Sequence, residues 1–245
     1  MKKFISILFT IASIILLTGC SGKEEARLHI AAASSLKNCL EEIYTEYQKE
    51  HENISFEGIY DGSGKLQVQI EEGLEADLFF SAATSQMDAL VKEGYVDEES
   101  VVNLLENKLV LVTNSDTKVT SMDNLDQAST IAIGDPKSVP AGQYAKVALG
   151  NQYDSLLPKL SLGTNVTEVL TWVEAGSAEV GFVYKTDTMD RDVKILQEMD
   201  LEDPVIYPVG IVKETKNKKE STEFLAFLKS DAALKIFEKY GFKGV

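Results

Sequence analysis

Ile131-Ala132-Ile133-Gly134-Asp135-Pro136-Lys137-Ser138-Val139-Pro140-Ala141-Gly142-Gln143-Tyr144-Ala145-Lys146-Val147-Ala148-Leu149 is the stretch that decides the fold. Ile131 to Ile133 is an unbroken apolar run and reads as a short buried strand. Gly134-Asp135-Pro136 reads as a turn, and Val139-Pro140-Ala141-Gly142 opens a helix that runs from about Gly142 to Leu149. Strand, turn and helix start, in that order, form the repeating unit of an α/β sheet with helices on its faces.

The same unit recurs in both directions. Upstream, Leu28 to Ala33 is an apolar run followed by helical spacing from Leu36 to Tyr47. Ile54, Phe56 and Ile59 belong to a second strand, ended by Asp61-Gly62-Ser63-Gly64 and followed by Leu66, Ile70 and Leu74 at helical spacing. Asp77 to Ser81 is a third strand, with a helix around Met87 to Val91, and Leu109 to Thr113 is a fourth. Downstream, Gly163-Thr164-Asn165-Val166 opens a helix through Val169, Leu170 and Val173. Val180 to Tyr184 is a buried strand, Pro204 to Val212 contains another, and two helices close the chain. Unbroken apolar strands alternating with helices imply mainly parallel sheets covered on both faces. No flexible linker divides the chain, so two lobes would be joined by crossing strands, with Leu109 to Thr113 and Pro204 to Val212 as the candidates. The expected division is lobe 1 over 28–108 plus 208–245 and lobe 2 over 109–207.

The 245 residues carry 24 Lys and Arg against 39 Asp and Glu, a formal net charge of −15. Nucleic acid is excluded as a partner, because its phosphates need clustered basic residues. Only two cysteines and two histidines are present, which rules out a disulfide framework and a Cys/His zinc site. No metal site and no cofactor are expected.

Met1-Lys2-Lys3 precedes an uncharged apolar run from Phe4 to Leu17, shorter than the roughly 20 residues that span a bilayer. Leu17-Thr18-Gly19-Cys20 closes it and resembles a lipobox, which makes 1–19 a signal peptide and Cys20 the lipid-bearing first residue of the mature chain. Residues 20–27 then serve as anchor and tether, and the expected location is extracytoplasmic, on the membrane surface. Cys39 falls within the helical apolar set Leu36, Leu40, Ile43 and Tyr47, and reads as a small buried hydrophobe.

The functional signal lies in the turns at the strand ends. Ser34-Ser35, Asp61-Gly62-Ser63-Gly64, Val139-Pro140-Ala141-Gly142 and Gly163-Thr164-Asn165-Val166 all lie at helix starts, where backbone N–H groups and the helix dipole favour an anion. Ser34, Ser35, Ser63 and Tyr184 add hydroxyl donors. In open α/β sheets, ligands collect at the carboxyl ends of strands. An anion held in so acidic a molecule must rely on short-range oriented donors in a dry cleft. Such a site suits an oxyanion without a proton. A protonated phosphate needs a buried acceptor as well, and Asp61 and Asp135 lie near enough to these turns to leave phosphate open.

Over most of its length, from about Leu28 to Gly241, the chain resembles the molybdate-binding proteins of bacterial ABC importers, of the type II periplasmic-binding superfamily. The segments that carry the resemblance are AAASSLKNCLEEI from Ala31, GSGKLQVQIEEGLEADLFFSA from Gly62, NKLVLV from Asn107 and AIGDPKSVPAGQYAKVAL from Ala132. VTEVLTWVEAGSAEVGFVYKTD from Val166 and FEKYGF from Phe237 continue it. The resemblance implies two α/β lobes that close on a tetrahedral oxyanion. It implies ligand contacts at Ser35, Ser63, Ala141, Val166 and Tyr184, with Ser34 as the alternate to Ser35. Ser35 and Ser63 would donate backbone N–H and hydroxyl, Ala141 and Val166 backbone N–H, and Tyr184 its phenol. The implied partners are molybdate or tungstate and the permease subunit of the importer, with the protein itself monomeric. Sulfate, being smaller, would leave donors in the closed cleft under-satisfied.

Other classes fit less well. A nucleophile elbow fails because Asp61 stands where its first Gly is needed before Ser63. A phosphate-binding P-loop fails because Leu66 follows Gly64-Lys65, and the dinucleotide pattern fails at Gln67. A binder of another oxyanion, or of a small organic solute, is the stronger alternative. An amino-acid binder would use an Arg clamp, yet the only two Arg, Arg27 and Arg191, lie away from the donor turns.

Overall fold

The computed structural model describes residues 25–114 and 116–245. The signal peptide and the lipidation expected at Cys20 lie outside the described residues.

The chain begins with β1 (Ala26–Ala33), α1 (Lys37–Gln48), β2 (Ile54–Asp61), α2 (Ser63–Glu71), β3 (Leu78–Phe80), α3 (Thr84–Glu93) and β4 (Val102–Asn107). It continues through β5 (Leu109–Thr113), β6 (Ile131–Gly134), α4 (Pro140–Leu149), the short α5 (Tyr153–Leu156), β7 (Leu160–Gly163), α6 (Val166–Glu174), β8 (Val180–Tyr184) and β9 (Lys194–Glu198). It ends with β10 (Val205–Ile211), α7 (Lys218–Leu228), α8 (Asp231–Lys239) and β11 (Lys243–Gly244). The helix of the deciding stretch starts two residues before Gly142, with Pro140 in its first turn. Proline there gives up an N–H that has no helical partner, and its fixed φ suits the helix.

The strands form two sheets, in the orders β11-β4-β10-β3-β1-β2 and β7-β6-β8-β5-β9. Apart from the added edge strand β11, the two repeat one plan. In each sheet the first of three parallel strands lies between the second and the third, β1 between β2 and β3 and β6 between β7 and β8. Beside the third runs an antiparallel strand, β10 in one sheet and β5 in the other. These two strands are the crossings. Lys108 alone separates β4 in the first sheet from β5 in the second, and the return runs from β9 to β10.

The sheets are therefore mixed rather than mainly parallel. β5 reads LVLVT and is buried along its whole length, yet it is antiparallel to both neighbours. An unbroken apolar strand reports burial on both faces, and a crossing strand threaded through the middle of a lobe is buried as fully as a parallel one.

Local chemistry sets the boundaries. Asn165 caps α6 by accepting the Glu168 N–H on its side-chain oxygen at 3.0 Å, and Ser230 caps α8 through Ala233 at 3.3 Å. Gly94 ends α3 in the left-handed region at φ 82°, which favours glycine. Cys39 is buried in α1 and donates to the Leu36 carbonyl at 3.0 Å, while burial pushes its thiol well above the usual range. An aromatic cluster of Tyr44, Phe56 and Phe224 packs α1 and α7 against β2, with Tyr44 and Phe56 stacked at 4.4 Å.

Candidate functional site

Parallel strands bring the ends of β1, β2 and β3 to one edge of the first sheet, and the ends of β6, β7 and β8 to one edge of the second. The two edges face each other across a cavity lined by Ser34, Ser35, Ser63, Ala141, Val166 and Tyr184. These are the sequence-derived candidates, the alternate Ser34 included, gathered around one space of about 180 Å³.

Each candidate stands where a strand has just ended. Ser34 and Ser35 follow β1 in a tight turn that runs into α1. Ser63 begins α2 and is fully buried. Ala141 lies in the first turn of α4, and Val166 begins α6. First-turn N–H groups have no partner within their own helix and present partial positive charge. Tyr184 ends β8.

The hydroxyls are set to donate. Ser63 Oγ accepts the N–H of Ala82 at 3.0 Å, which leaves its proton for another acceptor. Tyr184 is only 1% exposed, and among the described residues its hydroxyl makes no hydrogen bond of ordinary length, although the Tyr207 ring lies beside it at 5.6 Å between centroids. A buried orphan hydroxyl costs roughly 1–3 kcal/mol, so this one calls for an acceptor that the protein does not supply. Burial also holds the Tyr184 phenol well above its ordinary pKa, so it stays protonated.

Among the described residues no Lys, Arg or His lines the cavity, and Asp61 is its one carboxylate. Both Asp61 oxygens are engaged. Oδ1 accepts the Gly62 N–H at 2.8 Å and the Asn165 side-chain amide at 3.4 Å, and Oδ2 pairs with Lys65 at 2.5 Å. Asp135 does not line the cavity, and its Oδ1 accepts the Lys137 N–H at 3.0 Å. Arg27 pairs with Glu57 and Arg191 with Glu174, both away from the cavity.

The lobes meet closely at the rim. Gly64 N–H donates to the Ser138 carbonyl at 2.9 Å. A Cβ on Gly64 would lie 2.5 Å from that oxygen, and one on Gly62 would lie 2.7 Å from the Thr164 carbonyl. The GSG turn therefore serves backbone approach as well as donation.

Ala82 is a lining residue that the helix-start pattern missed, because β3 is followed by Ser81-Ala82-Ala83 before α3 begins at Thr84. Its signal was the strand end at Ser81. A larger space of about 1030 Å³, open to solvent, lies at the opposite end of the first sheet near His29, Asp77 and Lys216. Its buried carboxylate is already satisfied, since Asp77 accepts from the His29 N–H at 2.7 Å, from Asn217 at 3.2 Å and from Thr215.

The family model for bacterial extracellular solute-binding proteins matches residues 28–243. The chain is 41% identical over 255 residues to the Bacillus subtilis lipoprotein YvgL, covering 98% of each; that name provisionally assigns YvgL as an ABC transporter substrate-binding lipoprotein. It is 35% identical over 254 residues to the molybdate-binding protein ModA of Haemophilus influenzae, covering 99% of each. The structure of the Azotobacter vinelandii periplasmic molybdate-binding protein superposes with a TM-score of 0.78 at 21% identity, over 88% of this chain and 98% of that one. At that identity the likeness speaks for the fold, a periplasmic-binding fold of type II.

Proposed function

The chain belongs to the bacterial extracellular solute-binding proteins, and from that premise we propose that it captures molybdate or tungstate in the interlobe cavity and delivers it to an ABC permease. The observation that carries the reading is the donor set. Two serine hydroxyls, the orphan hydroxyl of Tyr184 and the first turns of α4 and α6 converge on one small space with no basic side chain in its lining. A tetrahedral dianion offers only acceptors, and such a site offers it mainly donors. Asp61 adds the one carboxylate, and three donors already occupy most of its roughly four acceptor positions, which disfavours a protonated phosphate.

The assigned contacts are Ser35, Ser63, Ala141, Val166 and Tyr184, with Ser35 preferred to Ser34. The named function of ModA in Haemophilus influenzae supports the choice of oxyanion. The protein would act as a transport component without cofactor or catalysis, as a monomer held to the outer face of the cell membrane by lipid on Cys20. The lipoprotein name of YvgL supports that anchor.

Thermal unfolding of the chain from Ser21, with molybdate, tungstate, sulfate, phosphate or no addition, tests the reading. A ligand at a hundred times its Kd adds about 2.7 kcal/mol, enough for a shift of roughly several degrees in a protein of this size. Shifts with molybdate and tungstate alone support it. A shift with phosphate or sulfate instead moves the protein to another oxyanion, and no shift with any of them removes the five-residue site.

A further inference from the structure

Ser35 is held by a chain of hydrogen bonds whose direction can be worked out from its far end. The Lys108 backbone N–H can only donate, and it meets Asn107 Oδ1 at 2.8 Å. That contact fixes the orientation of the Asn107 amide. Its Nδ2 then donates both protons, to Thr186 Oγ1 at 2.9 Å and to the Tyr207 hydroxyl at 3.2 Å. Tyr207 is fully buried, and its hydroxyl also meets Ser35 Oγ at 2.9 Å. Tyr207 accepts from Asn107, and donation to Ser35 is the arrangement that gives its own buried proton an acceptor. Ser35 thereby accepts a hydrogen bond from one side and keeps its own proton for the cavity that it lines.

We propose that Asn107 and Tyr207 are positioning residues that set the polarity of Ser35, so that the serine meets the bound oxyanion as a donor. The inference rests on the oxyanion reading of the site. The fold is built to present Tyr207: the register between β10 and β4 shifts between Tyr207 and Pro208. A bulge of this kind re-aims a side chain, and Pro208 brings no N–H to the ladder there. Burial keeps the Tyr207 phenol protonated, as the relay requires. Ser63 reaches the same polarity by another route, through the Ala82 N–H. Both serines are thus turned into donors by unambiguous backbone N–H groups.

The test is a double-mutant cycle read by titration calorimetry with sodium molybdate, on Tyr207→Phe, Ser35→Ala and the pair. Tyr207→Phe keeps the ring and removes one hydroxyl. The expected result is weaker molybdate binding by Tyr207→Phe in the wild-type background and little further loss in the Ser35→Ala background, a coupling of severalfold to about a hundredfold. Phosphate titrated at pH 8 should gain on molybdate in Tyr207→Phe, because the freed Ser35 can turn a lone pair toward a P–OH group. Asn107→Asp offers Tyr207 an oxygen and reverses the relay; its added charge acts in both backgrounds, so only the part that disappears with Ser35→Ala reports polarity. Equal penalties for Tyr207→Phe with and without Ser35 would show a packing role only and overturn the relay while leaving molybdate binding intact. A wild-type protein that fails to bind molybdate would overturn the proposed function itself, and the relay with it.

Discussion

Gly64 of the first lobe donates its backbone N–H to the Ser138 carbonyl of the second at 2.9 Å, and the space between them has no room for a methyl group. The contact joins the start of α2 to the loop that leads into α4, and both helices supply residues to the cavity. The contact between the lobes and the donors of the cavity are thus built on the same helix starts.

Gly64→Ala separates closure from folding. Gly64 lies in the first turn of α2, where alanine is the better helix former by up to about 1 kcal/mol. A Cβ there would lie 2.5 Å from the Ser138 oxygen, so the lobes cannot approach as they do now. The ligand-free variant should unfold at the wild-type temperature or slightly above it, while molybdate affinity falls about tenfold or more. Calorimetric titration beside a thermal scan checks both; unchanged affinity would mean that the rim contact does not contribute to capture.

Tyr184→Phe should also act in opposite directions on stability and binding. The hydroxyl is buried and unpartnered without ligand, so its removal should leave the ligand-free protein as stable or more so. With ligand present, a hydrogen bond to a charged group is lost, roughly 1.5–3 kcal/mol, or ten- to more than a hundredfold in Kd. An unchanged dissociation constant would remove Tyr184 from the site.

The central strands and the donor turns were legible in the sequence because burial on both faces leaves an unbroken apolar run, and helix starts leave Ser, Gly and Pro. β4, β7 and β9 were not. VNLLEN, LSLG and KILQE mix polar and apolar residues at or next to the sheet margins, where one side meets solvent. Strand direction was hidden for a related reason, since β5 is as apolar as a parallel strand while running against its neighbours. Among the site residues, those at helix starts could be found from local pattern. Tyr207 could not, because its role arises from Asn107, a hundred residues away, and from a register shift at Pro208.

Cys39 offers a probe of the closed packing of lobe 1. It is 1% exposed, and burial suppresses its thiolate. In the chain from Ser21 it is the only thiol. A colorimetric thiol reagent should find no reactive sulfur under native conditions and one per chain in denaturant. Rapid native labelling would show that α1 opens readily from the sheet.

Asp187 should make stability fall as pH rises through the weakly acidic range. Asp187 is half-buried as a residue, but its carboxyl accepts the Tyr184 N–H at 3.0 Å and its desolvation pushes its pKa up to about 7, against the pull of that N–H and of Arg191. In the unfolded chain the group titrates near 3.9. Between these values the native state holds a proton that the unfolded state has released, so the contribution to stability is full below about pH 4, falls through the window and is lost above about pH 7. Asp187→Asn can still accept the Tyr184 N–H and no longer titrates. Denaturant unfolding from pH 4 to 8 should therefore show the variant gaining on wild type steadily up to about pH 7 and levelling off beyond it. A constant difference between the two across that range would mean that the native carboxyl ionises as it does in the unfolded chain.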